Sequence, residues 1–236
     1  LSGPVFMVAC STMDTSTNWR DADRSSAGLA PLAAESPQAL VQVYGARAFS
    51  WRGYFAIHTW IATKPEGADS YTVHEVTGWG ANKVRSYRSL PDRAWYGASP
   101  ALLASVSGEA AASLIPDIEQ AIADYPYPHT YEAWPGPNSN TFVAWIIRQV
   151  PGLEVNLPNT AIGKDYLGNG YIAETPSGAG YQLSAGGYIG ILAGVREGLE
   201  LNVLGLSLGV DPRHLAIKLP GVGSLGLLDP WPQALP

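Results

Sequence analysis

The segment from Trp134 to Val150, WPGPNSNTFVAWIIRQV, combines a rigid turn with the start of a helix. Two prolines and a glycine hold its first four residues out of regular structure. The next four residues, from Asn138 to Thr141, are all types whose side-chain oxygens cap helices. An apolar face follows, made of Phe142, Val143, Trp145, Ile146 and Val150. The pattern predicts a buried helix that begins near Ser139 and ends before residues 151–152.

Ser139 is a candidate nucleophile because of its position in this segment. A hydroxyl in the first turn of a helix faces free backbone N–H groups and the positive end of the helix dipole. Both stabilise a developing oxyanion. The alternative is that Asn138 or Ser139 serves only as the helix cap, which is a common role for these residue types.

Composition indicates a globular protein with many turns. The chain has 236 residues, enough for one large domain or for one domain with an appendage, and 46% of them are hydrophobic. With 26 Gly, 19 Pro and 14% charged residues, it does not have the composition of a helical bundle. The formal net charge of -6 and the lack of a Lys/Arg run argue against nucleic-acid binding.

Cys10 is the only cysteine, so one chain can form neither an internal disulfide nor a cysteine-based metal cluster. Residues 1–10 are apolar and uncharged, as in the tail of a signal or anchor segment, and residues 7–10 loosely resemble a lipoprotein processing site. These features favour a cell-envelope protein, either periplasmic or membrane-anchored. Residues 1–39 as a whole are interpreted as an irregular N-terminal arm.

Short runs rich in β-branched and aromatic residues begin near Leu40 and predict strands. The predicted strands cover residues 41–48, 53–63 and 71–79, and residues 84–89 suit a fourth. Residues 107–125 have helical periodicity, with Pro116 inside the pattern. We therefore expect either a kinked helix or two shorter helices there.

Two of the four histidines fall on neighbouring predicted strands. Alternation places His58 on one face of its strand together with Trp60. If the two strands pair as a hairpin, His58 and His74 can face the same side, where the helix that carries Ser139 could pack. This arrangement would supply a base, an orienting residue and a nucleophile. A zinc site built from the histidines and Glu75 lacks HExxH-like spacing, so no metal or cofactor is expected.

These elements resemble two related groups of enzymes. A histidine on a strand, a second on the next strand and the Asn-Ser-Asn-Thr-Phe element of residues 138–142 are similar to circularly permuted papain-like hydrolases and to lecithin-retinol-acyltransferase-like enzymes. The whole chain also resembles an uncharacterised bacterial domain family of unknown function. The run of strands followed by two helical stretches predicts an α+β fold, with a core of antiparallel strands and a packed nucleophile helix over residues 40–167. The resemblance to the papain-like enzymes covers about residues 41–150 and implies that this core is papain-like. It implies His58 as base and His74 as orienting residue, with Ser139 in place of the family's cysteine.

We therefore expect an envelope hydrolase or acyltransferase that acts on an amide or ester bond through a Ser-His-His site. The alternative is a catalytically inactive papain-like module that binds an envelope ligand, a lipid or a partner. The substrate could be a small molecule, a lipid or a peptide. The candidate binding residues are Asn138, Asn140, Trp60 and Trp134.

Residues 168–236 are glycine-rich and poor in charge, which predicts a β-rich C-terminal extension packed on the core. Hairpins are expected at residues 196–198 and 211–213. Two interpretations of the apolar strands remain open. Either they leave an apolar surface that meets a membrane, a lipid or a partner, or the core covers that surface.

Overall fold

A computed structural model describes residues 20–228 as two antiparallel sheets and two α-helices. The prediction of a mixed α+β protein is confirmed, and most of the regular structure is strand. Residues 1–19, which include Cys10 and the apolar segment predicted to resemble a signal or anchor, lie outside the described residues.

The first sheet has five strands in the order β4-β3-β2-β1-β5. Its strands are β1 (Leu40–Arg47), β2 (Ile57–Lys64), β3 (Thr72–Val76), β4 (Val84–Arg88) and β5 (Ala101–Ser107). The first part of the second predicted strand is instead the 3-10 turn Ser50–Tyr54. Strand β5 was not predicted, although it closes the sheet by pairing with β1.

Both helices belong to one hydrophobic core with the first sheet. They are α1 (Gly108–Ala123) and α2 (Ser139–Gln149). Helix α1 continues across Pro116, so of the two expected alternatives the one with two shorter helices is wrong. Its residues Leu114, Ile115 and Ile118 are buried in this core, and their packing outweighs the loss of one hydrogen bond at the proline.

The two faces of the first sheet separate the predicted site histidines. In the antiparallel pairing of β2 with β3, Ile61 lies opposite His74. Directly paired residues share a face, and faces alternate along a strand. His74 therefore shares the face of Ile61, which belongs to the core with the helices, whereas His58 lies on the other face. The expectation that His58 and His74 face the same side is wrong. The expectation that α2 packs on the side of His58 is also wrong, because α2 packs on the face of Thr59 and Ile61.

The second sheet is a seven-stranded meander in the order β12-β11-β10-β9-β8-β7-β6. Its strands are β6 (Ile172–Glu174), β7 (Gly180–Ala185), β8 (Ile189–Gly194), β9 (Gly198–Val203), β10 (Leu206–Asp211), β11 (Ala216–Leu219) and β12 (Gly223–Gly226). The turns between β8 and β9 and between β10 and β11 lie at the two predicted hairpins.

The second sheet turns its polar face inward. Gln182, Glu200 and Lys218 are buried, and the Lys164 ammonium lies 2.7 Å from Glu200 Oε2 beneath the sheet. Alternate residues, such as Leu201, are exposed on the outer face. The interpretation that the core covers the apolar face is therefore wrong, because the core covers the polar one. Within residues 20–228, neither helix combines the length and apolar character that crossing a membrane requires.

Candidate functional site

A cavity of about 380 Å³ opens where the start of α2 meets the start of β2. Ser139 and His58 both line it, and so does Trp134. The remaining wall is largely aromatic and includes Trp79, Trp95, Phe55 and Tyr131. Two of the three predicted catalytic residues therefore line one cavity, which opens at the end of the first sheet between the face of α2 and the face of His58.

Asn138, rather than Ser139, caps helix α2. The Asn138 side-chain oxygen accepts hydrogen bonds from the backbone N–H groups of Asn140 at 2.9 Å and Thr141 at 3.2 Å. The Thr141 hydroxyl accepts in return from the Asn138 N–H at 3.1 Å, which completes a capping box. Among the described residues, neither the hydroxyl nor the backbone N–H of Ser139 has a hydrogen-bond partner. Both groups are therefore available to a ligand.

Asn140 fastens the start of α2 to the strand that carries His58. Its amide nitrogen donates to the Ile57 carbonyl at 2.9 Å, and its oxygen accepts from the Thr59 hydroxyl at 2.9 Å. Ile57 and Thr59 flank His58 in sequence. The predicted binding residues Asn138 and Asn140 also both donate to the Ile162 carbonyl. Their amides therefore build the scaffold of the site.

Glu75 holds the imidazole of His58. His58 Nε2 lies 3.0 Å from Glu75 Oε2, and the ring stacks on Trp95 with 3.6 Å between centroids. The other carboxylate oxygen of Glu75 accepts hydrogen bonds from Arg93 and from the Tyr87 hydroxyl. Among the described residues, His58 Nδ1 has no hydrogen-bond partner. Carboxylate and ring stacking together fix the orientation of the imidazole.

Burial sets the protonation of this pair. Burial lowers the pKa of the His58 imidazole, although the neighbouring Glu75 carboxylate opposes that shift. Burial alone would raise the pKa of Glu75, but the hydrogen bond from His58 and the charge of Arg93 outweigh it and lower that pKa. An ionised carboxylate only accepts hydrogen bonds, so the proton of neutral His58 resides on Nε2. Nδ1 then keeps the lone pair that a general base needs.

His74 lies apart from His58 and binds other partners. Its Nε2 is 3.0 Å from the Thr63 hydroxyl, and its Nδ1 is 2.8 Å from the Ser86 hydroxyl. Burial lowers its pKa to about 4. Glu75, and not the neighbouring His74, holds the imidazole of His58, although the sequence indicated Glu75 only as a possible metal ligand. The alternation of side chains along β3 was the available sequence signal for Glu75, because residues 74 and 75 must face opposite sides.

The two predicted binding tryptophans have different surroundings. Trp134 is 44% exposed at the cavity wall. Trp60 is fully buried, donates its indole N–H to the Pro91 carbonyl at 2.7 Å and stacks on Tyr44. Trp60 does not line the cavity, so its predicted binding role is wrong because the side chain is part of the core. Within residues 20–228, no group of three or more His, Cys, Asp or Glu side chains is arranged to hold a metal ion.

The fold and the site define a mixed α+β domain with an aromatic-walled cavity at the start of a helix. A family model described as "Protein of unknown function (DUF3750)" matches residues 38–166. The chain belongs to this family, as the predicted resemblance to a family of unknown function anticipated. No curated protein matches the chain, and no solved structure does. All cavity-lining residues fall between Ala48 and Ile162, inside the matched range.

Proposed function

We propose that the cavity is the acyl-transfer site of a hydrolase or acyltransferase with a papain-like core that acts on an amide or ester. Ser139 is the nucleophile, His58 is the general base and Glu75 orients His58. One observation carries the proposal. Ser139, with an unpaired hydroxyl, lines the same cavity as His58, whose proton-bearing nitrogen is fixed by a carboxylate.

The reaction divides into two steps. Ser139 Oγ attacks the carbonyl carbon of the substrate while His58 Nδ1 takes its proton. The tetrahedral intermediate then expels an amine or alcohol, which receives that proton, and leaves an acyl ester on Ser139. Water or an acceptor alcohol attacks this ester, again with His58 as base, and the free hydroxyl of Ser139 is restored.

The first turn of α2 would stabilise the oxyanion. The unpaired Ser139 N–H lies at the positive end of the helix dipole, and the side chain of Asn138 already occupies the next two amides. The charge that develops on the substrate oxygen would therefore meet a single backbone donor of the helix. The Glu75 carboxylate would stabilise the imidazolium that forms when His58 takes the proton.

The protonation of His58 suits serine chemistry. A cysteine nucleophile commonly works as a thiolate beside a protonated histidine. The imidazole then needs a pKa that burial has not lowered. Burial lowers the pKa of His58, so the imidazole is neutral at neutral pH and ready to accept a proton from a hydroxyl. This property supports Ser139 as a functioning replacement for the cysteine of the papain-like enzymes.

The aromatic wall supports a second candidate function, which is binding without reaction. Trp79, Trp95 and Trp134 line the cavity. Such walls bind apolar or planar ligands through contact area alone. In that case Ser139 would be a remnant of the catalytic position.

Labelling with a fluorophosphonate tests the catalytic assignment. The wild-type chain should be labelled and Ser139→Ala should not. Ser113→Ala, which alters a serine on the exposed side of α1, should be labelled like the wild type. Undiminished labelling of Ser139→Ala would refute the assignment.

Ser139→Cys separates the enzyme from the binding module. An intact site should activate the new thiol, so iodoacetamide should modify it at neutral pH faster than it modifies Cys10 in the wild type. A thiol as inert as a buried structural cysteine, in a protein that still binds apolar dyes in the cavity, would favour binding alone.

A further inference from the structure

The outer face of the second sheet is apolar across all seven strands. One continuous row of paired residues crosses five of them, namely Ile172, Leu183, Ile191, Leu201 and Leu208. Each of these side chains is between 45% and 69% exposed. Parallel rows of Leu, Ile, Val and Ala flank this row on both sides. The face therefore lacks the polar side chains expected of a sheet face that meets water.

Most charged side chains of the second sheet lie on its buried face. Glu200 bridges the Lys164 and Lys218 ammonium groups on the buried side. Within strands β6 to β12, Glu174 on the edge strand is the one charged residue of the outer face. An alternating strand normally places its charges in water, so the inverted pattern indicates a covering partner.

We propose that a second copy of this chain covers the outer face, so that two such sheets stack in a symmetric dimer. The seven strands have three to six residues each. At about 4.8 Å between strands and about 3.4 Å per residue, they give a face of roughly 30 by 20 Å at its widest, or about 570 Å² before side-chain relief. Stable interfaces bury about 800 Å² on each partner. Exposed apolar turn residues lie at the two ends of the strands, including Val195, Leu204 and Leu215, and a partner sheet would also contact them.

The residue types favour a sheet over a bilayer as the occupant. Surfaces that bind membranes combine tryptophan and tyrosine with lysine and arginine. Among the strand residues of this face, Tyr181 is the one aromatic side chain and the single charge is acidic. The exposed Tyr171 and Tyr188 flank the strands, but no exposed tryptophan lies within strands β6 to β12 or the turns between them. The chain also carries a net charge of -6. Branched aliphatic side chains on a twisted sheet are instead typical of the inner faces of β-sandwiches, which lie about 10 Å apart.

Leu201 lies at the centre of the proposed interface. Strand β9 is the middle strand of the seven, and Leu201 is its residue in the continuous row, next to Ile191 at the middle of that row. In a twofold symmetric interface the central residues of the two copies meet each other. An aspartate at this position would bring two carboxylates together in an apolar interface, where each would lose its hydration.

Sedimentation velocity of the full chain tests the proposal. The wild type should form dimers at micromolar concentration. Leu201→Asp should raise the dimer dissociation constant at least about 30-fold, the effect of a hot-spot residue. Leu90→Asp is the matched control, because Leu90 is 51% exposed in the loop between β4 and β5 and should leave the dimer unchanged. Far-UV circular dichroism establishes that each variant is folded, and Ile191→Asp on the neighbouring strand replaces Leu201→Asp if that variant is not.

Three results would overturn the proposal. The first is a wild-type chain that stays monomeric up to about 100 μM, well above the concentrations at which interfaces of this size associate. The second is a folded Leu201→Asp protein that dimerises like the wild type. The third is a monomer that co-sediments with vesicles of phosphatidylethanolamine and phosphatidylglycerol and loses this binding in Leu201→Asp, which would assign the face to a bilayer.

Discussion

The proposed reactivity of His58 depends on the Glu75 carboxylate, so a substitution of Glu75 is the most direct test. Glu75→Gln keeps the size of the side chain but can donate to His58 Nε2, which allows the wrong tautomer. The rate of fluorophosphonate labelling at Ser139 should fall by about 10²–10⁴-fold, the contribution of a general base. His74→Gln is the matched control, because His74 contacts Thr63 and Ser86 and should leave the rate within a small factor. A larger loss in the control would return the orienting role to His74.

The pH dependence of labelling should report the protonation of His58. Only the neutral imidazole can take the proton of Ser139, so the rate falls as pH drops through the pKa of His58. Burial holds that pKa below its ordinary value of 6.5. The labelling rate should therefore stay level from pH 8 to 6.5 and decline at lower pH. A half-maximal rate above pH 6.5 would contradict the burial of the imidazole in the working protein.

At the scale of elements, the start of α2 depends on its cap. The Asn138 side chain accepts two backbone hydrogen bonds there, whereas the N-cap of α1, Ser107, makes no side-chain capping bond. Asn138→Ala should lower the free energy of unfolding by about 1–2 kcal/mol. The matched Ser107→Ala should cost much less, and urea denaturation monitored by circular dichroism measures both. Equal losses would show that the cap of α2 contributes no special stability.

The packing of the loop after α2 against this cap also requires a glycine at residue 163. Gly163 has a φ of 101°, and a side-chain Cβ at this position would overlap the amide of Asn138. The backbone of the loop after α2 can approach the cap only because residue 163 is glycine. The same loop presents the Ile162 carbonyl to both Asn138 and Asn140. Helix start, loop and β2 therefore hold the site as one unit.

At the scale of the whole molecule, the second sheet is attached through buried charges. Lys164 lies 2.7 Å from Glu200 and 2.9 Å from Asp165, and all three side chains are buried. Lys164→Met leaves Asp165 without its ion-pair partner and Glu200 with Lys218 alone, and should cost about 3–5 kcal/mol of unfolding free energy. The half-exposed pair of Arg196 with Glu154 provides the comparison, because Arg196→Met should cost about 0–1 kcal/mol. Denaturant titration measures the unfolding free energy of both variants. Similar losses in the two would contradict this prediction.

Sequence patterns predicted the local elements of this molecule better than their relative placement. The helix at Ser139 and the strand at His58 follow from residues close in the chain. Alternation along β3 shows that residues 74 and 75 face opposite sides, but the register between β2 and β3 decides which of them shares the face of His58, and no local pattern gives that register. The sequence did not predict which face of the second sheet is buried, for a related reason. Gln182, Glu200 and Lys218 have the residue types of a solvent-facing side, and only the charges beneath the sheet reverse that assignment.

The meander connectivity of the second sheet has a kinetic consequence. Each of its strands pairs with its neighbours in the chain, whereas β1 must find β5, with Leu40 opposite Ser107. Closing short loops is fast, and distant pairing delays folding. In refolding from urea, pulsed hydrogen exchange should protect amides of β8 to β10 before those of β1 and β5. Simultaneous protection would show that both sheets fold in one cooperative step.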